Sequence, residues 1–181
     1  TAIVFPFLFM VFYIAFISRE RFIKSLKQSF VKALPYFSIV FVYGVLRLTV
    51  LNFDNTLNFY SKANLYTESF LVRMYTFLNV LLTYAKLMIL PLGQHMERSV
   101  TIYTYFFNLP VVSSLTIIVV VFWFLRSLYK KEIRNSKLEI QNSRFRVWFF
   151  AVGWFFVNLG PTSGITPINA QLYEHWLYLA M

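Results

Sequence analysis

The residues of this chain that could move protons come as neighbours: His95 stands two residues before Glu97, and Glu174 directly precedes His175. Histidine changes charge near neutral pH and a carboxylate beside it can accept or relay the proton, which is general acid and base chemistry. Asp54 and Glu68 are further candidates for a base or a metal ligand. A single H-x-E is a far weaker signal than H-E-x-x-H, and solvated loop carboxylates account equally for these residues. Three cations, Arg47, Arg73 and Lys86, stand in apolar surroundings. Such cations either snorkel to an interface or pair with an anion, and a lipid phosphate is the natural anion for an arginine fork. The chain has no cysteine, so thiolate metal sites and cysteine nucleophiles are excluded. It also lacks G-x-x-x-x-G-K-[ST], G-x-G-x-x-G and G-x-S-x-G, which removes support for nucleotide hydrolysis, hydride transfer and serine hydrolysis.

The elements that position these residues are set by apolarity. Of 181 residues, 59% are hydrophobic, 21% aromatic and 13% charged, and the mean hydropathy is +0.61. That is too apolar for a water-soluble domain and predicts an all-α, polytopic transmembrane helix bundle. Charge-free or nearly charge-free runs predict helices over 1–17, 33–51, 109–125 and 145–160, with another beginning at 173–181. Pro35 and Pro110 fall in the first turns of their expected helices, where a missing N–H costs least. Residues 1–181 then form part of one transmembrane domain. A start inside an apolar run, without initiator methionine, predicts a piece of a longer protein.

Charge sets the expected sidedness. Segment 18–32 holds five Lys and Arg against Glu20, and 126–146 holds seven against Glu132 and Glu139, so these loops carry +4 and +5 of the total +10. The positive-inside rule makes both cytoplasmic. The charges adjoin membrane ends without groove-reading partners, so nucleic-acid binding is not expected, whereas contact with membrane lipids is. Segments 52–71, 93–108 and 161–175 become extracytoplasmic, which gathers Asp54, Glu68, His95, Glu97, Glu174 and His175 on one side. Helices ending and starting on that side leave 52–108 to cross the bilayer zero times or twice. One apolar segment, 72–92, lies there. Its Arg73, Thr76, Asn79, Thr83 and Lys86 recur at steps of three or four, and a lysine near a span's centre costs about 2.5 to 3.5 kcal/mol. The expectation is an amphipathic, interfacial or re-entrant helix. A full span with its polar face on neighbouring helices is the alternative.

Two stretches resemble a known family. NFDNTLNFY at 52–60, followed by RMYTFLNVLLTYAKLMILPLGQHMERS at 73–99, is similar to the outer-face region of tetratricopeptide-linked O-mannosyltransferase-like membrane proteins, with Asp54, Asn55, Pro91 and Glu97 in matching order. PINAQLYEHWLYLAM at the end resembles the same proteins through Glu174, Tyr178 and Leu179. Thr56 and Ala180 stand where family members often have proline. The resemblance covers roughly residues 40–181 and implies the membrane domain of a C-type glycosyltransferase. Such an enzyme moves a sugar, possibly mannose, from a polyprenyl-phosphate donor to a protein or glycan acceptor on the extracytoplasmic face. It implies a multi-pass protein of a bacterial inner membrane or the endoplasmic reticulum, with tetratricopeptide repeats C-terminal in the parent protein. The catalytic acid of the family lies in the first outer loop, upstream of this chain, so Asp54 is not assigned that role. The resemblance implies no firm cofactor, and the need for a divalent metal is left open. Arg47, Arg73, Lys86, His95, Glu97, Glu174 and His175 are the expected contacts of donor phosphate or acceptor. Two other functions fit the residues: an ion-coupled transporter with Asn79 and Lys86 buried at mid-membrane, and a non-catalytic membrane scaffold.

Overall fold

The computed structural model describes residues 2–18, 20, 22–50, 65–90, 92, 100–134, 144–165 and 180. Every element among them is helical, and no strand occurs among the described residues. The chain divides into two compact units, the first holding residues 1–54 and 122–158, the second 55–121 and 159–181.

The first unit begins with a 3-10 turn at Ala2–Val4, helix α1 at Phe5–Phe12 and a π turn at Tyr13–Ile17. Helix α2, Phe22–Thr49, follows and runs antiparallel to α1. The pairing is written in aromatic contacts: Phe5 and Phe9 meet Tyr36 with ring centres 5.2 and 4.9 Å away, and Phe7 meets Phe37 at 5.2 Å. At the other end the Ser18 and Ser25 hydroxyls bond at 2.7 Å. What lets the helices approach is a row of small side chains four apart, Ser25, Ser29 and Ala33, each 2% exposed or less.

This row corrects the expected boundaries. The basic segment 18–32 is not a loop after Ser18 and the turn around Glu20, because α2 begins at Phe22 and carries Lys24, Lys27 and Lys32 along its sides. Packing against α1 continues the helix through residues that charge alone marks as a connection. Pro35 consequently lies inside α2 and not in a first turn. It deprives the Val31 carbonyl of its helical partner, a loss the lateral packing on α1 offsets.

Helix α5, Leu109–Arg134, likewise runs past the expected end at 125 and includes the basic residues to Arg134. Its Phe122–Arg134 part belongs to the first unit. Helix α6, Arg144–Leu159, completes that unit, antiparallel to both α5 and α1. Tyr129 meets Phe145 and Phe124 meets Trp148, at 5.1 and 5.6 Å. Phe150 packs on Phe16 at 5.0 Å, and a Cβ on Gly153 would stand 2.8 Å from a methyl of Val11. Gly153 therefore marks a close approach of α1 and α6 that a larger side chain would obstruct.

In the second unit a short helix α3, Leu65–Glu68, leads to α4, Phe70–Ile89. Ser69 caps α4 by accepting from the Val72 N–H at 3.4 Å. The segment 100–108 and the first turns of α5 pack on α4, and a 3-10 turn at Gly160–Thr162 follows α6. Only Ala180 of the expected terminal helix 173–181 is among the described residues.

The helices are built inside out relative to a soluble protein. In α2 the small residues are buried while Ile23, Phe30, Val31, Ile39, Phe41 and Val42 are exposed. In α5 Val111 and Ser114 are buried and Ile117, Val119, Val120, Phe122 and Trp123 are exposed. Water would penalise so much continuous apolar surface, whereas lipid does not, and close packing through small residues is how helices associate in lipid. Two helical stretches, Phe22–Arg47 and Leu109–Lys131, are long and apolar enough to cross a membrane, and only 11% and 17% of their apolar windows are buried. A core helix of a soluble protein would be mostly buried.

Candidate functional site

Of the expected site residues, Arg47, Arg73 and Lys86 are described. His95, Glu97, Glu174 and His175 lie outside the described residues, as do Asp54, Asn55, Pro91 and Tyr178 of the family-like pattern.

Arg73 is the best-defined of the three. Ser69 starts α4 so that Arg73, four residues on, leaves the first turn toward α3 and the loop after α6. Its Nε donates to the Gly164 carbonyl at 2.8 Å, and its Nη1 donates to the carbonyls of Thr67 at 2.8 Å and Tyr66 at 3.3 Å. The guanidinium also lies 5.7 Å over the Phe70 ring. Gly164 adopts φ +80°, and a Cβ there would come within 3.1 Å of Arg73 Cβ and 3.3 Å of its carbonyl oxygen. Glycine is therefore required both for the left-handed backbone and for the close approach. The guanidinium acts as a clamp joining α3, the start of α4 and the 160–165 loop, segments that are 91 residues apart at Gly164.

Below the clamp, the buried row of α4 is Val72, Thr76, Val80 and Tyr84, spaced by four. Thr76 Oγ1 accepts from the Tyr103 N–H at 3.4 Å. Ser114 of α5 donates to the Leu78 carbonyl, an interhelical bond to a backbone group in mid-helix. Tyr84 is fully buried. The polar residues of α4 consequently do not form one continuous face. Thr76 points inward, Asn79 and Thr83 are half-buried, and Lys86 is exposed in the last turn. Thirteen residues separate Arg73 from Lys86. At 1.5 Å and 100° per residue they are about 20 Å apart along the axis and about 140° apart around it, so they do not converge on one anion. Lys86 is also not at the centre of a helix, as the span-based expectation had it: α4 covers 70–89 and not 72–92.

Arg47 belongs to the first unit, in the last turn of α2. It is half-buried at the end of the row formed by Val40 and Gly44, which faces the same way as Ser25, Ser29 and Ala33. Among the described residues no group of three or more His, Asp or Glu could hold a metal ion.

Sequence reasoning passed over Gly164 and Arg146. The segment PTSG at 161–164 has the composition of a turn, which is the one signal that could have drawn attention to Gly164. Arg146 carries no local signal, and its Nη1 donates to the carbonyls of Ser18 and Ala15. It thereby caps the carbonyl end of the first helical segment, where a positive charge is favoured.

No family model, curated protein or solved structure matches the chain.

Proposed function

We propose that the chain is part of a multi-pass membrane domain of a glycosyltransferase that takes its sugar from a polyprenyl-phosphate donor. Membrane embedding is supported by the outward-facing apolar surfaces of α2 and α5 and by the meeting of their basic ends. The transferase reading starts from the two family-like stretches, and the observation that carries it is the Arg73 clamp. The segment 73–99 of the first stretch begins at Arg73, whose Nε bonds to the Gly164 carbonyl three residues before the second stretch begins in the sequence. An outer-face cavity assembled from both would use that junction.

In this reading Arg73 is a positioning residue, because its described bonds go to backbone carbonyls. Cations nearer the donor stabilise charge on the departing phosphate, and an acid upstream of this chain deprotonates the acceptor hydroxyl. For an ion pathway through mid-membrane, Asn79 is half-buried while Lys86 is exposed in the last turn of α4.

The test is transfer of radiolabelled sugar from polyprenyl-phosphate mannose, by the full-length parent protein in membranes, to endogenous protein or glycan. Transfer that falls at least about tenfold in Arg73→Ala, with the protein still inserted, is the expected result. A correctly inserted protein that transfers no sugar from polyprenyl-phosphate mannose or polyprenyl-phosphate glucose would overturn the reading.

A further inference from the structure

Among the described residues, the cations that neither hold the fold nor enter the proposed chemistry collect at one end of the first unit. Three helix ends meet there through aromatic rings. Phe22, at the start of α2, lies 6.2 Å from Tyr129 of α5 and 5.6 Å from Phe149 of α6, and Tyr129 lies 5.1 Å from Phe145. On these ends Lys24, Lys27, Arg126, Lys130, Lys131 and Arg144 are exposed. They come from segments about a hundred residues apart, so only folding makes them one surface. Among the described side chains Glu20 is the single carboxylate at this end, 3.8 Å from Lys24 and itself 48% exposed. A solvated pair of that kind offsets little of the surrounding charge. The N-termini of α2 and α6 add partial positive charge against the carbonyl end of α5, and Arg146 covers the carbonyls of Ala15 and Ser18.

The neighbours of this surface say what it meets. Trp123 and Trp148, 70% and 50% exposed, lie one turn from Arg126 and Arg144 on the apolar side, and Trp148 packs on Phe124, the neighbour of Trp123 in α5. Next along α5 come the exposed Val119, Val120 and Phe122. Cations, then tryptophans, then bare hydrocarbon is the order of layers from headgroups into a bilayer. A nucleic-acid surface would carry its aromatic rings among the cations and would have no apolar flank.

We infer that this end is a binding collar for anionic glycerophospholipids, selecting their phosphate-bearing headgroups over neutral ones. The inference rests on membrane embedding and not on the transferase reading. Lysine supplies most of the exposed charge, and a compact, strongly hydrated ammonium on a flexible stem suits exchanging headgroups better than one fixed ligand. The collar therefore sorts lipid around the protein and needs no enclosed pocket.

The experiment uses the full chain in phosphatidylcholine vesicles containing a minor share of phosphatidylglycerol. Energy transfer is measured from the protein's tryptophans to trace dansyl-phosphatidylglycerol or dansyl-phosphatidylcholine, labelled on the acyl chain. Transfer to the anionic probe should exceed transfer to the neutral probe by about threefold at low salt. The preference should shrink in molar salt, where the screening length falls to about 3 Å. K24Q/K27Q/K130Q/K131Q should abolish the preference while leaving transfer to the neutral probe unchanged, and the corresponding Lys→Arg variant should keep it. Equal transfer to both probes by the unmodified chain, or a preference that survives high salt or the glutamine substitutions, overturns the inference. If the glutamine variant does not insert, the salt comparison on the unmodified chain decides alone.

Discussion

Arg73 shows how one conspicuous side chain takes acceptors that its sequence neighbourhood does not announce. Its charge among apolar neighbours marked it as a ligand for phosphate, because an arginine in such surroundings needs an anion or an acceptor. The acceptors are backbone carbonyls of Tyr66, Thr67 and Gly164, and no sequence pattern encodes a contact across that separation. Charge-assisted bonds of this kind contribute about 1.5 to 3 kcal/mol each at most, so losing the clamp should be costly. Arg73→Lys is expected to lower stability by about 2 kcal/mol, since an ammonium cannot reach carbonyls on two sides as a planar fork does. Gly164→Ala should cost about 1 kcal/mol or more, from the left-handed backbone and the 3.1 Å approach to Arg73 Cβ. Thermal unfolding in detergent, followed by tryptophan fluorescence, checks both. An unchanged midpoint in Arg73→Lys would mean that the clamp holds nothing the rest of the unit does not hold already.

At the scale of elements, apolar runs marked the cores of α2 and α5 and their apolar ends, near Thr49 and at Leu109, but not their basic ends. Charge begins where the hydrocarbon is expected to stop, whereas a helix stops where its backbone loses partners or packing. In α2 the small row Ser25, Ser29 and Ala33 was visible in the sequence at intervals of four, yet it was subordinate to the five cations around it. In α4 the polar residues at steps of three and four drift around the helix by well over a right angle, so reading them as one face overstated the pattern. The close contact of Gly153 with Val11 pairs residues of α6 and α1 and had no local sequence signal. It is open to a double-mutant cycle. Gly153→Ala should destabilise by about 1 to 2 kcal/mol through overpacking. Val11→Ala should recover much of that loss in the double variant, giving a coupling of about 1 kcal/mol. Additive losses in thermal unfolding would place the cost in the helix backbone of α6 and not in its contact with α1. Arg146→Gln, which removes the charge over the Ala15 and Ser18 carbonyls, should lower stability by about 1 kcal/mol by the same measurement, and an unchanged midpoint would deny it the capping role.

For the whole molecule the open quantity is sidedness, and the basic ends provide the reference. Within the first unit the start of α2, the end of α5 and the start of α6 meet, so Lys24 and Lys130 must face the same side if this unit sits in a bilayer. The chain contains no cysteine, and single cysteines therefore report position without background. Lys24→Cys and Lys130→Cys should react with an impermeant maleimide only after the cytoplasmic side of oriented membranes is opened. Gln94→Cys, five residues beyond α4, then answers whether α4 crosses. Lys86 is exposed in the last turn of α4, and α4 is not among the helices apolar enough to span. An interfacial α4 returns residue 94 to the side from which the chain left α2, so Gln94→Cys is expected to label from outside intact membranes. That outcome sets His95 and Glu97 opposite the basic collar, where a lipid-linked donor on the outer face would meet them. Labelling of all three cysteines from the cytoplasmic side alone would mean that α4 spans despite Lys86. His95 and Glu97 would then share a face with the lipid-sorting collar, and the outer-face transferase site would lose two of its expected residues.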